Sequence, residues 1–555
     1  METWFRDWVV PGMRWTQVPR RVWRFLGLFS LCLLLTVGCG GGSQTSTAPG
    51  SPTSENGRVT IGTTLSARTL DPADAYELFP GILLYNMGDR LYTYKPGTTE
   101  LEPQLATALP EVSSDGLTYR IPLREGVTFH DGEPFNAEAM AFSIQRFMEN
   151  GGRPAFLLAD RIASVEATDT YELTITLKQP FAAFPALLAF SGVTPVSPKA
   201  YQVGAGQFQP NTFVGTGPYK LGQFAPDAIR LDPNPDYWGE KPANEGIDIQ
   251  IISSPANLYN TFRTGGLDIA YQTLDPDQIR QLIESQEQGG WQVIEAGTNV
   301  TNFMVLNLRA KPLDDVRVRQ AIAAMIDRKL LNERVFQGQA EPLYSLLPTS
   351  SPAYRPVFQE VYGDANMEKA KQLLQSAGFS ESNPLTLEVW YSSGSTVRNL
   401  VATTLKASVE RALPGLVKIE PNSVEAATLF DNLDKGIYPT TLLDWYPDFY
   451  DPDTFIEPFM SCDKGSVETG CEAGQSQAGG SFYYSPRANE LIQKQRAEPD
   501  QAVRKQQFSE LQDLLAADVP YIPLWQNKDY VFVRNTVQGV AIQPTQQFLL
   551  WQIQK

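Results

Sequence analysis

Apolar and polar residues alternate over several short stretches of this chain. The alternation is clearest at 58–62, 116–123, 172–177 and 247–252, where β-branched residues are frequent. A period of two residues places the apolar side chains on one face of a pleated strand. We therefore predict β-strands at these four positions.

Other stretches have the spacing of an amphipathic helix. The clearest runs from 314 or 315 to about 335, with acidic residues at its start. Asn136 is placed to cap a second helix, and Ser485 followed by Pro486 predicts the start of a third. Since strands and helices are interspersed from about position 58 onward, we predict an α/β or α+β fold with mixed sheets and two or three domains.

The N-terminus predicts export. Four arginines between positions 14 and 24 precede an apolar stretch at 25–37, which is too short to span a bilayer comfortably. The sequence LTVGC at 35–39 resembles the lipobox of bacterial lipoproteins, although Thr36 stands where an aliphatic residue is usual. We predict a signal peptide at 1–38 and a lipidated Cys39. An ordinary cleaved signal with an incidental cysteine stays open, as does the choice between the general and the twin-arginine export route.

Residues 39–57 are rich in Gly, Ser, Thr and Pro and have no apolar periodicity, so we predict a flexible tether. After position 39 no apolar run approaches the length of a transmembrane helix. The folded body is therefore expected outside the cytoplasm, in the periplasm or at the cell surface, held to the membrane by the lipid on Cys39.

Cysteine usage is consistent with export. Of the four cysteines, Cys32 lies in the signal and Cys39 is the lipid acceptor, which leaves Cys462 and Cys471. These two flank a polar, glycine-containing segment that can close into a disulfide, for a stabilisation of roughly 2–3 kcal/mol. A zinc site is less consistent with the pattern, because two thiols without a neighbouring histidine are an incomplete ligand set.

The charge and the candidate chemistry favour a binding protein over an enzyme. A net charge of −17 argues against nucleic-acid binding. The single histidine, His130, sits in an Asp-Gly turn context that favours a structural role, and no Gly-x-Ser-x-Gly nucleophile motif occurs. No pair of carboxylates is singled out for glycoside hydrolysis. We predict no catalytic residues, no metal site and no cofactor.

The segment LLDWYPDFYDPDTF at 442–455 is the strongest candidate for a binding site. It places Trp445, Tyr446, Phe449 and Tyr450 among four aspartates, and two prolines stiffen the turn. An aromatic wall with an embedded carboxylate can cover the apolar part of a ligand and neutralise an ammonium group. A surface loop with solvated acids is the alternative reading of the same residues.

Several segments resemble the family 5 extracellular solute-binding proteins of ABC importers, which include dipeptide, oligopeptide and nickel-complex receptors. The matches keep the family order from about Val59 to Trp525. They include the stretch from LY at 91–92 to PQLA at 103–106, DGLTY at 115–119, LREGVTFHDGEPF at 123–135, GTGPY at 215–219, NPDYWG at 234–239 and RVRQAI at 317–322.

The resemblance implies a two-lobed periplasmic-binding-protein-like fold with a hinge and an extra domain in the first lobe. The segments expected for each part follow from the same analogy. They are 58–94, 213–297 and 519–555 for the first lobe, 95–212 for its extra domain and 298–518 for the second lobe.

The resemblance also implies roles within the binding segment. Trp445-Tyr446-Pro447-Asp448 matches a Trp-x-x-Asp pattern whose aspartate pairs with the α-ammonium group of a peptide. Asp448 is thus the expected ammonium partner, with Trp445 and Tyr446 beside it, whereas Phe449 and the other three aspartates are expected to pack or to cap turns. The opposite wall is expected at Tyr76, Glu77 and Leu78. No arginine for a ligand carboxylate can be chosen by motif.

The expected function is therefore that of a monomeric, lipid-anchored receptor that captures di- or oligopeptides and delivers them to the transmembrane subunits of an ABC permease. The same fold binding a nickel chelate, an oligosaccharide or an opine-like solute is the nearest alternative. An extracytoplasmic glycoside hydrolase is the alternative from a different class.

Overall fold

A computed structural model of the chain describes residues 57–555. The predicted signal peptide, Cys39 and nearly all of the predicted tether lie outside these described residues. Between Gly57 and Lys555, no helix combines the length and the apolar character needed to cross a membrane.

The strands form one large mixed sheet and three small antiparallel ones. The predicted strands are present as β1, β5, β7 and β10. In chain order the strands are β1 (Val59–Thr63), β2 (Tyr92–Tyr94), β3 (Leu101–Pro103), β4 (Glu111–Val112), β5 (Thr118–Pro122), β6 (Ile162–Asp169), β7 (Glu172–Leu177), β8 (Tyr219–Phe224), β9 (Ala228–Pro233), β10 (Ile247–Ile251), β11 (Ile269–Tyr271), β12 (Trp291–Leu306), β13 (Ala340–Pro342), β14 (Leu385–Ser392), β15 (Val417–Val424), β16 (Thr440–Trp445), β17 (Lys464–Ser466), β18 (Gly470–Ala473) and β19 (Tyr521–Arg534).

The large sheet has the order β15-β14-β16-β12-β19-β11-β1-β10-β9-β8, and β13 pairs with β19 beside this path. Its pairings are mixed: β1 is parallel to β10 and β11, and β14 is parallel to β15 and β16, whereas β12 is antiparallel to β16 and β19. The four-stranded sheet β4-β5-β7-β6 is entirely antiparallel.

Several helices begin at polar caps, and the sequence predicts two of these caps. Asn136 accepts a hydrogen bond from the backbone N–H of Ala139, and Ser485 does the same for Ala488. The helices are α1 (Leu78–Met87), α2 (Ala137–Glu149), α3 (Phe156–Ala159), α4 (Phe184–Leu187), α5 (Pro255–Arg263), α6 (Pro276–Glu284), α7 (Gln286–Gly289), α8 (Val316–Met325), α9 (Arg328–Arg334), α10 (Val357–Tyr362), α11 (Met367–Ser376), α12 (Thr396–Ala412), α13 (Ala426–Leu433), α14 (Glu457–Met460), α15 (Gln475–Ala478), α16 (Pro486–Ala497) and α17 (Gln501–Asp518), with short 3₁₀ turns at Pro452–Phe455 and Leu550–Gln552.

The single helix predicted from 314 or 315 to 335 is wrong, because the structure divides it into α8 and α9. Ile326 adopts an extended conformation between them, and Asp327 caps α9 by accepting a hydrogen bond from the N–H of Leu330. The apolar spacing continues through the break, since Ile326 and Leu331 are buried in the same core as Met325. Periodicity alone therefore does not reveal where the backbone turns.

The buried side chains form separate cores that define two lobes. We call the part packed around the core from Phe303 to Trp525 the second lobe, and the remainder, with cores at 59–291 and 530–553, the first lobe. Within the first lobe, the core from Leu91 to Val193 surrounds the four-stranded sheet, and we call the part packed around it the extra domain. This core begins four residues before the segment expected at 95–212.

Two long antiparallel strands, β12 and β19, cross from one lobe to the other. Their ladder is irregular between Gly297 and Thr301, opposite residues 526–528. The predicted boundary at 297/298 falls at this irregularity. The predicted boundary at 518/519 precedes it, because Tyr521 and Trp525 still pack in the second-lobe core.

Candidate functional site

A cavity of about 540 Å³ lies between the turn after β16 and the N-terminal end of α1. Its volume is within the usual range for small-molecule sites. All six residues predicted to bind ligand line it, namely Tyr76, Glu77, Leu78, Trp445, Tyr446 and Asp448. The site therefore draws on both lobes.

Asp448 is the most unusual group in the cavity. Its side chain is half-buried, and its Oδ1 accepts a hydrogen bond of 2.6 Å from the hydroxyl of Tyr76. Burial raises the pKa of this carboxyl to about 6, against the lowering effects of the Tyr76 hydrogen bond and of Arg161. Within residues 57–555, no cationic side chain lies at ion-pairing distance from it. Asp448 is thus a carboxylate that has no ion-pair partner in this part of the chain.

Tyr76 is held toward Asp448 by the first lobe. The loop that carries it is anchored by Asp71, whose two carboxylate oxygens accept hydrogen bonds of 2.7 and 2.6 Å from Arg146 of α2. Both members of this pair are fully buried, and Asp71 also accepts the N–H of Gln209. Phe190 meets the Tyr76 ring edge-to-face at 6.3 Å. The position of the phenol is therefore set by packing and by a buried ion pair.

Strand β16 positions the residues of the opposite wall. Trp445 pairs with Thr301 of β12 and packs edge-to-face on Phe459 at 5.3 Å. Tyr446 follows with 47% of its surface exposed, and burial of its hydroxyl raises its pKa to about 12. Trp445 is consequently a rigid wall, whereas Tyr446 has freedom to adjust to a ligand.

Glu77 and Leu78 occupy the cavity edge in different ways. The carboxylate of Glu77 already pairs with Arg153 at 2.7 Å and with Arg68 at 3.3 Å, and it accepts the N–H of Tyr76. The Glu77 carboxylate is therefore already ion-paired within the protein. Leu78 begins α1 and contributes apolar surface.

The other aspartates of the binding segment are ion-paired, beyond the turn and capping roles expected from sequence. Asp451 does cap the following 3₁₀ turn, but it also receives two hydrogen bonds of 2.8 Å from Arg504. Asp453 is buried against Arg496 at 2.8 Å. The arginines come from α16 and α17, so no local pattern predicts these pairs.

Asp444 is also paired, with its Oδ1 accepting a hydrogen bond from the guanidinium of Arg398 in α12. The expectation that Asp444 serves only as a turn or capping group is therefore wrong. Asp448 is the aspartate of the segment that lacks an arginine partner.

The two lobes contact each other beside the cavity. Phe449 packs in the core of the extra domain, edge-to-face with Phe181 at 5.8 Å and only 3% exposed. The backbone N–H of Tyr450 donates to the Tyr94 hydroxyl, and the Tyr450 hydroxyl donates to the carbonyl of Thr545. The described conformation is therefore a closed one. As expected, Phe449 is a packing residue, but the core in which it packs belongs to the first lobe, whereas the strand before it, β16, belongs to the second.

Sequence reasoning missed part of the lining. Phe430 of α13 contributes a side chain that is 59% exposed, and Phe190 belongs to the extra domain. The polar stretch 545–547 closes a third side of the cavity. These residues are far apart in sequence and share no motif. An exposed phenylalanine in an otherwise amphipathic helix is the one signal available.

The family-like motifs around His130 and Gly217 are structural. His130 is half-buried with Nε2 3.1 Å from the Gly217 carbonyl, and desolvation of the imidazole lowers its pKa to about 4. A Cβ at Gly217 would lie 2.4 Å from the backbone of Met87. Close packing of two backbone segments therefore explains this glycine.

Cys462 and Cys471 form a disulfide across the hairpin of β17 and β18. The hairpin is tied to the end of β12 by Arg309, whose guanidinium donates to the carbonyls of Thr469 and Cys471. In the part of the chain that is described, no group of three or more His, Cys, Asp or Glu side chains is arranged to hold a metal ion.

A second, more open groove of about 740 Å³ lies among α9, α11 and α12 of the second lobe. It is lined by residues such as Arg334, Thr403 and Arg411 and contains none of the predicted ligand-binding residues. We place the candidate site in the 540 Å³ cavity, because residues of both lobes line that cavity and one of them is Asp448, the carboxylate without an ion-pair partner.

Solved structures of similar fold span nearly the whole chain. The periplasmic binding protein DppA from Helicobacter pylori, in complex with the peptide STSA, matches with a TM-score of 0.71 and 24% identity over 90% of this chain and 98% of that one. NikZ from Campylobacter jejuni, in complex with Ni(L-His), gives a TM-score of 0.72 at 20% identity, covering 90% of this chain and 99% of its own. These matches confirm the mixed, two-lobed fold.

Curated relatives are similar over comparable lengths. The probable D,D-dipeptide-binding periplasmic protein DdpA of Escherichia coli K12 is 26% identical, with 88% of this chain and 92% of the relative covered. Di/tripeptide-binding protein 4 of Pseudomonas aeruginosa is 30% identical, with 82% and 87% covered. The model of bacterial extracellular solute-binding proteins, family 5 Middle, matches residues 100–466. The chain belongs to family 5 of the bacterial extracellular solute-binding proteins.

Proposed function

We propose that this protein is the receptor of an ABC importer and that it captures peptides in the cavity between its lobes. The observation that carries the proposal is Asp448, a half-buried carboxylate that forms no ion pair with any side chain of residues 57–555. A buried charge of this kind is unfavourable unless it is paired, so the α-ammonium group of a peptide would supply the missing counter-charge. The peptide-binding names of the relatives support the same ligand class.

The aromatic walls complete the proposed site. Trp445 and Tyr446 would cover one side of the ligand's first residues, with Tyr76 on the other side. A charge-assisted hydrogen bond to Asp448 contributes about 1.5–3 kcal/mol. Because the site is built from both lobes, ligand binding would stabilise the closed state by its differential affinity for that state.

The proposed setting is extracytoplasmic, with the protein monomeric and tethered by a lipid on Cys39 for delivery of peptide to the permease. Cys39→Ser tests the anchor, because a variant without the acceptor thiol should be recovered in the soluble fraction and should not incorporate labelled palmitate. Membrane association that survives the substitution would contradict the anchor.

A thermal-shift screen tests the ligand class. Purified protein would be mixed with peptide pools, nickel–histidine, oligosaccharides and opines, and the ligand would be re-examined by mass spectrometry after overnight incubation. We expect stabilisation by peptides and recovery of the peptide unaltered. Stabilisation by another class alone, or turnover of the ligand, would contradict the proposal.

Asp448→Asn tests the site itself. We expect the variant to lose about tenfold or more in affinity for free-amine peptides, since it removes one charge of a buried pair. N-acetylated peptides should bind the variant and the wild type equally. The matched control is Asp227→Asn, which alters an exposed carboxylate on the β8–β9 turn. An equal loss for both peptide forms would show that Asp448 acts through folding.

A further inference from the structure

The cavity is lined by carboxylates and by no cations. Of its charged lining residues, Glu77, Asp444 and Asp448 are all acidic, and no Lys, Arg or His of the described chain is among them. A ligand carboxylate would therefore need a cation that reaches into the cavity from behind the lining residues.

The arginines nearest to the lining are already neutralised. Arg398 is bound to Asp444, and Arg68 and Arg153 share Glu77 at 3.3 and 2.7 Å. Arg68 is further occupied by a second carboxylate, that of Asp74, at 2.6 Å. Each guanidinium therefore satisfies a protein acid and offers no net charge to a ligand.

The arginines farther from the cavity lining interact with other groups of the protein. Arg496 pairs with both Asp453 and Glu457. Arg161 acts electrostatically on Asp448 and Tyr76, but it is also close to Arg496 and to the carboxylates of Asp453 and Glu457. Its guanidinium lies 4.9 Å from the Phe181 ring and donates to a backbone carbonyl in α3, and Arg161 is not among the residues that line the cavity.

A further acid strengthens the negative field. Asp529 of β19 is half-buried and is close enough to Tyr446 and Tyr450 to act electrostatically on both hydroxyls. Its Oδ2 accepts a hydrogen bond of 2.9 Å from Gln272, and no cation pairs with it in the described chain. The region around the cavity thus holds two carboxylates that form no ion pair within the described residues, Asp448 and Asp529.

We propose that this receptor recognises the amino end of a peptide and not its carboxyl end. This inference rests on the proposed peptide function. Its ligands would be peptides whose carboxylate projects beyond the cavity or is absent, so C-terminally amidated peptides belong to the substrate class. A free carboxylate inside the cavity would meet acids and find no cation to replace its hydration.

The test compares equimolar synthetic pools of tripeptides and of pentapeptides in three forms: free, C-amidated and N-acetylated. The protein would be produced without the predicted signal peptide, residues 1–38. Native mass spectrometry would then give the affinity of the strongest binders in each pool. We expect amides to bind as tightly as the free acids or more tightly, and N-acetylated peptides to bind about tenfold or more weakly.

The outcomes separate this inference from the function on which it rests. If free acids bind about tenfold more tightly than their amides, the inference is overturned while peptide capture stands. If no pool binds in any form, both are overturned.

The Asp444→Asn variant is expected to gain recognition of the peptide carboxylate. Removing this carboxylate leaves Arg398 without its partner at the cavity edge, so the ratio of acid to amide affinity should shift toward the acid. Asp227→Asn is the control and should leave the ratio unchanged. If the affinity ratio in Asp444→Asn shifts toward the amide, Arg398 is not a cation neutralised by Asp444. If the variant fails to fold, the comparison of free and amidated peptides on the wild-type protein decides the proposal.

Discussion

Asp448 combines two properties that rarely coexist in one residue, a charge and a shortage of partners. The single hydrogen bond from Tyr76 leaves most of its acceptor capacity unused. Burial raises its pKa to about 6, which is within the range of extracytoplasmic pH values. The protonation state of one side chain is therefore expected to control ligand affinity.

We predict that affinity for free-amine peptides rises with pH up to about 6 and then reaches a plateau. Below that pH the carboxyl group is protonated and cannot pair with an ammonium, and above roughly pH 8 the ligand's own amino group loses its proton. Isothermal titration calorimetry between pH 4.5 and 8.5 measures the profile. The Asp448→Asn variant should lack the acidic limb, and a limb that persists would assign it to another group such as Asp529.

The same carboxyl should lower the stability of the unliganded protein as pH rises. The folded state holds its proton up to about pH 6, whereas the unfolded chain releases it near the ordinary value of 3.8. Since the folded state binds more protons in this window, the free energy of unfolding falls between these two pH values. Replacement by asparagine should remove that decline, as measured by urea titration at several pH values.

At the scale of elements, the turn after β16 is held by arginines from the helices that follow it. Arg504 of α17 is 3% exposed and binds Asp451, itself 11% exposed, through two hydrogen bonds. Arg496 of α16 performs the same role for Asp453. The stiffness of the binding turn is therefore a property of the second-lobe helices as well as of its two prolines.

We predict that Arg504→Met destabilises the protein by about 3–5 kcal/mol, because it leaves the Asp451 carboxylate buried and unpaired. The control is Arg487→Met in α16, whose partners are exposed and whose loss should cost about 1 kcal/mol or less. Denaturant unfolding measures both variants. Similar values for the two would show that Asp451 is solvated in the folded protein.

Elements also show where sequence reasoning succeeds and where it ends. Trp445 and Asp448 can be proposed from the sequence because a short motif places them three residues apart on one turn. The break between α8 and α9 was missed because Asp327 caps a helix without interrupting the apolar spacing. Phe430, Phe190 and the 545–547 stretch reach the cavity only through tertiary structure, which no local pattern encodes.

At the scale of the whole molecule, the lobes are joined by β12 and β19 and are closed over the cavity by side chains. The irregular ladder opposite 526–528 is the natural position for a hinge, since few regular hydrogen bonds have to change there. Tyr76 and Asp448 contact each other across the lobes, and so do Phe181 and Phe449.

We predict that Phe449→Ala increases the open population of the unliganded protein, because opening no longer removes a phenyl ring from the opposite core. Small-angle X-ray scattering should report a larger radius of gyration without ligand, and saturating peptide should restore the compact value. Phe508→Ala, which alters the interior of the second lobe, is the control. It should lower the free energy of unfolding and leave the radius unchanged, and an unchanged radius in Phe449→Ala as well would contradict the role given to this ring.

The Phe449 contact also has a kinetic consequence. Withdrawing a buried phenyl ring costs roughly 1.5–3 kcal/mol, which would hold the open form to about 7% of the population or less. A ligand that must enter through the open form is then captured at a rate reduced to that fraction of its value for a fully open receptor. The ring that seals the cleft would therefore make the receptor slow to load and slow to release, so that a captured peptide stays bound long enough to meet its permease.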